Sequence, residues 1–317
     1  MKVCAITALI MCVVGMVLAA VAGSIKGRTT VENVVETVTD GKVHMKLTNW
    51  GDWGISVGER VADTVGNVSY EIGDATNFDA DHEILTGTVE KYSLGNHISE
   101  LNISVGGCSF ETKLSGDDEF YIEAKKAGKF QGFVENGVLY VIETPTSRRL
   151  NDVGDCNIIL YVPEGYSYHS ASVSLGAGTL EFDNLKADNA EFSVGAGEIT
   201  INGAEADEMI VSAGMGQMHL QDIKVEKLDA EVGMGEMIVN GSIGKKAVLE
   251  CAMGNMEMKI EGSQKDFNYE IEGAMGIIDI GKDSYGGFAS ERSIDNNAEK
   301  TIEVSGSMGN ISLSFTE

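Results

Sequence analysis

One short phrase recurs through the second half of the chain: SLGAGTLEF, FSVGAGEITI, VSAGMGQMHL, AEVGMGEMIV and ECAMGNMEMK. Its last glycines are Gly178, Gly197, Gly216, Gly235 and Gly254, each 19 residues after the one before. A fixed period near 20 residues marks a repeat architecture, and that constrains the fold more than any composition value. Within one repeat the apolar columns lie two residues apart. Val173, Phe192, Val211, Ala230 and Leu249 form one column, and Leu175, Val194, Ala213, Val232 and Cys251 form the next. A spacing of two belongs to one face of a strand, whereas a helical repeat needs 3.6. The intervening Ser174, Ser193, Ser212, Glu231 and Glu250 suit solvent.

Beyond the glycine the parity changes. Leu180, Ile199, Met218, Met237 and Met256 form the next apolar column, followed by Phe182, Ile201, Leu220, Val239 and Met258. A corner between strands produces such a shift, and glycine suits a corner because it tolerates positive φ. A second corner is expected at FDNLKAD, INGAEAD, LQDIKVE and VNGSIGK, which are rich in turn residues. One coil of this kind cannot bury its apolar face, but stacked coils can. The expected fold is therefore all-β, a parallel β-solenoid with 19-residue coils. Gly276 and Gly309 extend the series to seven copies, and the polar segment around 284–299 between the last two reads as a protruding loop.

Ahead of the regular repeats at 171–317, the chain stays strand-like back to residue 97. ISELNISVGGCSFETK resembles a degenerate first coil, with Leu101, Ile103 and Val105 on one face. Asn136-Gly137 between two apolar runs signals a hairpin with a type I′ turn. Cys156, Ile158, Leu160 and Val162 then alternate until Pro163. Residues 97–317 thus read as one solenoid, while 24–96 form a membrane-proximal segment of unassigned fold. Trp50 and Trp53 in that segment are expected to make a small local core.

Residues 4–22 are apolar and uncharged, long enough to cross a bilayer. A retained transmembrane anchor over 1–23 is the favoured reading; a signal peptide ending at Ala20-Val21-Ala22 is the alternative. Either places the bulk of the chain outside the cytoplasm, in a single-pass arrangement if the anchor is kept. The formal charge of −26 argues against nucleic-acid partners. Cys108, Cys156 and Cys251 are odd in number and lack a C-x-x-C spacing; a buried free thiol is expected at Cys251, on its inward column.

With these residues in view, the chain resembles the bacterial putative-adhesin family, a domain of unknown function with β-strand repeats. The resemblance rests on ISELNISV and VENGVLYVIE, on DCNIILYVPEGY, and on the run of G-x-G repeats, and it covers roughly 97–317. It implies a right-handed single-stranded β-helix on the cell surface, and it supplies no catalytic or binding residue.

No motif here yields a catalytic, cofactor-binding or metal-ligating set. The G-x-G phrases recur seven times and precede no helix, unlike a dinucleotide fingerprint. Met215, Met234, Met253, Met275 and Met308 share a column, as do Met218, Met237 and Met256; stacked thioethers suit Cu(I), but parity points both columns inward, to core packing. His219 stands alone on the outward face. A calcium ladder needs a carboxylate in every coil, and the column Asp183, Asn202, Gln221, Asn240, Lys259 loses it after one copy. Glu231 and Glu250 would stack as neighbouring carboxylates, without an arginine or histidine to complete a glycan-cleaving site. The expected function is a non-enzymatic, membrane-anchored adhesin or surface scaffold contacting a surface protein or glycan. An accessory role in envelope-stress signalling is the alternative, and a polysaccharide-cleaving β-helix enzyme is the third.

Overall fold

The computed structural model describes residues 78–145, 156–273, 275–286 and 290–316. The expected membrane helix and both tryptophans lie outside the described residues. Among the described residues no helix is long and apolar enough to cross a membrane. All the strands described belong to one 18-stranded sheet.

Five strands form the regular body: β7 (Tyr168–Leu175), β8 (Thr179–Val194), β9 (Glu198–Ala213), β10 (Gln217–Val232) and β11 (Glu236–Cys251). They pair in parallel, and each residue meets its counterpart one repeat away: Leu180 faces Ile199, Ile199 faces Met218, Met218 faces Met237. The 19-residue period is thereby converted into like residues stacked on like, as the solenoid reading requires.

Each coil has three sides. Along 179–194 the inward residues are Leu180 and Phe182, then Leu185 and Ala187, then Ala190, Phe192 and Val194. Alternation resets where two exposed residues adjoin, at Asp183-Asn184 and Asp188-Asn189. The third corner is Gly176–Gly178. Left-handed backbone occurs at the Asn184 corner and its equivalents: Asn184 has φ 54°, Gly203 79° and Asp222 54°. Asn, Asp and Gly tolerate that region best. The Gly178-type glycines, expected to need positive φ, do not have it. Close stacking requires them instead. A Cβ on Gly216 would overlap the Gly197 carbonyl oxygen and lie 2.9 Å from Val194 Cγ2.

Both ends depart from sequence order. Near the N-terminus lie β2 (Glu100–Val105), β3 (Ser109–Leu114), β4 (Phe120–Glu135), β5 (Val138–Thr144) and β6 (Asn157–Val162). The degenerate first coil, β2–β3, sits between β5–β6 and the coil begun by β7 and β8. The chain reaches β5 from β4 through the expected hairpin turn, with Asn136 at φ 51° and Gly137 at φ 83°. At the far end lie β12 (Asn255–Glu261), β13 (Phe267–Gly273), β14 (Ile277–Ile280), β17 (Lys300–Gly306) and β18 (Asn310–Thr316). The last repeat, β17–β18, is threaded between β11–β12 and β13–β14. Consecutive strands usually neighbour one another, so these two inversions are exceptions.

Antiparallel strands cover both ends of the stack. β4 runs across β5 and β6 and carries β1 (Leu85–Gly95) on its other edge. β15 (Asp283–Gly286) pairs with β14, and β16 (Ser290–Ile294) pairs with β13. The segment expected to protrude at 284–299 therefore supplies two capping strands. An uncovered parallel edge would present unpaired amides and carbonyls to other chains. The core inside the stack is continuous, from Ile158 and Phe110 at one end through Met218, Met237 and Met256 to Ile278 at the other.

Candidate functional site

The side of the coil that begins at Thr179 turns a deep, flat face outward. Its first column runs Asn157, Ser109, Thr179, Glu198, Gln217, Glu236, Asn255, Asn310 and Ile277, nine strands deep by direct pairing. Four residues on, Asp183, Asn202, Gln221, Asn240 and Lys259 form a parallel column. This is the column considered for calcium, and its side chains bind one another. Asn202 Nδ2 donates to Asp183 Oδ1 at 2.9 Å and to Glu181 Oε1 at 3.2 Å, and Asn240 Nδ2 donates to Gln221 Oε1 at 2.7 Å. Thr179 Oγ1 donates to Ser109 Oγ at 2.9 Å. Asn202 spends both of its amide donors in this way and keeps its carbonyl acceptor, while Gln221 and Asn240 each keep donor and acceptor capacity. His219 lies on this face between Thr200 and Ile238, half-buried.

The methionine columns divide. Met218, Met237 and Met256 are fully buried, as parity requires. Met215, Met234, Met253, Met308 and Met275 occupy the outward tip of the glycine corner, with Met215 58% and Met275 45% exposed. Their inward assignment is wrong because the corner resets alternation two residues earlier, at Gly176 and its equivalents rather than at Gly178. Backbone bonds stack the tips in the order given: Met215 N donates to Gly195 O at 2.7 Å and Met308 N to Ala252 O at 2.7 Å. Ser174 and Ser193, expected at solvent, are buried, and Ser193 Oγ donates to Ser174 Oγ at 3.0 Å. Glu231 and Glu250 face each other across β10 and β11, flanked by Ser212 and Ser305.

A second cluster escaped the sequence reading. Cys108 and Cys156 form a disulfide with Cα atoms 4.9 Å apart, joining two degenerate coils. Among the described residues Cys251 is the free thiol, buried as expected, and burial pushes its pKa up to about 11. Glu143, on β5, lies beside the disulfide and is 1% exposed. Its Oε2 accepts from Gly106 N at 3.1 Å and Gly107 N at 3.0 Å. Burial raises its pKa, with those amides opposing the rise. The available signal was register: Cys108 precedes Ser109 as Cys156 precedes Asn157, and Ser109 pairs with Asn157.

Residues 98–286, more than half of the chain, match the Toastrack DUF4097 family. The chain belongs to that family. This agrees with the resemblance carried by the strand-and-repeat motifs. The Toastrack match ends before β17 and β18, so the threaded final repeat lies beyond it. No curated protein matches the chain. Solved structures similar to this Toastrack chain include a putative adhesin from Bacteroides fragilis, at 13% identity and TM-score 0.39, covering 75% of this chain and 100% of its own. A putative cell adhesion protein from Clostridium sporogenes has 13% identity and TM-score 0.31, covering 74% and 100%. A putative lipid binding protein from Parabacteroides distasonis has 14% identity and TM-score 0.36, covering 76% and 99%.

Proposed function

We propose that the chain is a non-enzymatic adhesin or surface scaffold, held outside the cytoplasm by its N-terminal segment, that makes contact through the polar face of its solenoid. The nine-strand-deep ladder carries this reading. Amide, hydroxyl and carboxylate groups recur there at strand spacing, about 4.8 Å, on a backbone that a continuous core holds rigid. Such a face offers many weak hydrogen bonds to a long partner, a glycan chain or a protein surface. The disulfide supports an oxidising compartment, where such bridges persist. The charge of −26 disfavours anionic polymers as partners.

The test is binding of the full chain to cell-wall fractions and isolated surface proteins. A triple substitution, Glu198→Ala, Gln217→Ala and Glu236→Ala, removes ladder groups without touching the core. Retention on one fraction that the triple variant loses, at unchanged melting temperature, is the expected result. Cleavage of any member of a polysaccharide panel by the wild-type chain would overturn the non-enzymatic reading.

A further inference from the structure

The contact function makes no use of the group Cys108, Cys156 and Glu143. The two sulfurs and one Glu143 oxygen all lie within 4.8 Å of one another. Glu143 reaches the group from β5, Cys108 from the corner between β2 and β3, and Cys156 from the residue immediately before β6. While Oε2 takes both glycine amides, Oε1 is buried without a hydrogen-bond partner. A buried carboxylate oxygen left unpaired is costly, and it can be recovered by a ligand. We infer that reduction of the Cys108–Cys156 bridge opens a three-ligand site, two thiolates and the Glu143 carboxylate, for a thiophilic divalent cation of the zinc class.

The chemistry balances in two steps. A small external dithiol breaks the S–S bond; it supplies two electrons and two protons, becomes a disulfide itself, and leaves two cysteine thiols. The cation then forms two S–metal bonds and one O–metal bond, and the two thiol protons pass to water. Zinc–sulfur and zinc–oxygen bonds of about 2.3 and 2.1 Å place tetrahedral ligand atoms roughly 3.5–3.8 Å apart. The carboxylate oxygen lies within 4.8 Å of both sulfurs, and cleavage frees the sulfurs to separate into that range. The Gly106 and Gly107 amides would hold the carboxylate from outside, as outer-shell partners do. Thiolate ligands favour zinc-class ions over calcium and magnesium. Entry is from the polar face: Cys156 lines an open depression of about 530 Å³ shared with Ser109, Glu111, Asn157 and Thr179.

Cobalt(II) provides the probe. The full chain, in a Cys251→Ser background, is reduced with a phosphine that is then removed, and Co²⁺ is titrated while absorbance and circular dichroism are recorded. One Co²⁺ per chain with a thiolate-to-cobalt charge-transfer band is expected, absent from the oxidised chain and displaced by Zn²⁺. Cys156→Ser should abolish the band, and Glu143→Gln should weaken binding by at least about tenfold. The proposal fails if the reduced, natively folded chain shows no band, or if Glu143→Gln binds as tightly as its parent. It also fails if reduction alone dissolves the β-sheet signal, since the bridge is then a structural staple only.

Discussion

Gly216→Ala tests why each coil carries glycine at its corner. The added Cβ would overlap the Gly197 carbonyl oxygen and sit 2.9 Å from Val194 Cγ2 and 3.1 Å from Gly197 N. That carbonyl accepts Gln217 N at 2.9 Å, and nearby Met215 N donates to Gly195 O at 2.7 Å. Relieving the overlap lifts one corner off the coil beneath and stretches both bonds. Each such bond is worth about 1 kcal/mol, and overpacking adds about 1–3 kcal/mol. Reduced freedom of the unfolded chain returns about 0.4–1 kcal/mol. The net cost is about 2–4 kcal/mol, which in a domain of this size lowers Tm by roughly 4–16 °C. Urea unfolding followed by circular dichroism measures it. Gly214→Ala is the control, because its Cβ meets nothing nearer than Gly195 O at 3.2 Å and should cost under about 1 kcal/mol. Equal costs for Gly216→Ala and Gly214→Ala would refute the stacking argument.

Three further predictions follow from burial and pairing. Asp229 has its pKa raised, first by burial and then by Glu208 and Glu303, against the opposing effect of Lys246. The folded pKa exceeds the unfolded one, so this contribution to stability is full below the ordinary carboxylate range and fades as pH rises through the folded value. Asp229→Asn should flatten that part of the stability–pH curve, and an unchanged slope would contradict the burial cause. The Cys251 thiol, held near pKa 11, should resist iodoacetamide in the folded chain at neutral pH and react fully in denaturant; mass spectrometry reads the difference. Arg292→Pro and Ser293→Pro together remove amides of β16 opposite Ile271 and Glu270. Exposure of the β13 edge should cause self-association in light scattering, and a monodisperse variant would show that the cap is dispensable.

The sequence by itself determined the coil. Its period set which residues stack, and spacing of two within each side identified Val173, Leu175, Leu180 and their equivalents as core, because a buried strand face admits little else. The Asn136-Gly137 turn was equally legible, since its backbone conformation demands those residue types. The corners were not. A corner resets alternation, and nothing local says whether the reset falls at Gly176 or Gly178, which is why Met215 and its column read inward while they stand at the surface. Coil order at the two ends was also invisible: β17 can lie against β11 or follow β13 with the same apolar columns, and only the three-dimensional assembly chooses between them. The Cys108–Cys156–Glu143 group arises from that choice. Placing β2–β3 between β5–β6 and β7–β8 brings together cysteines 48 residues apart and the carboxylate beside them. Contacts at such separations depend on which coils stack, and a repeat period leaves that order open at its irregular ends.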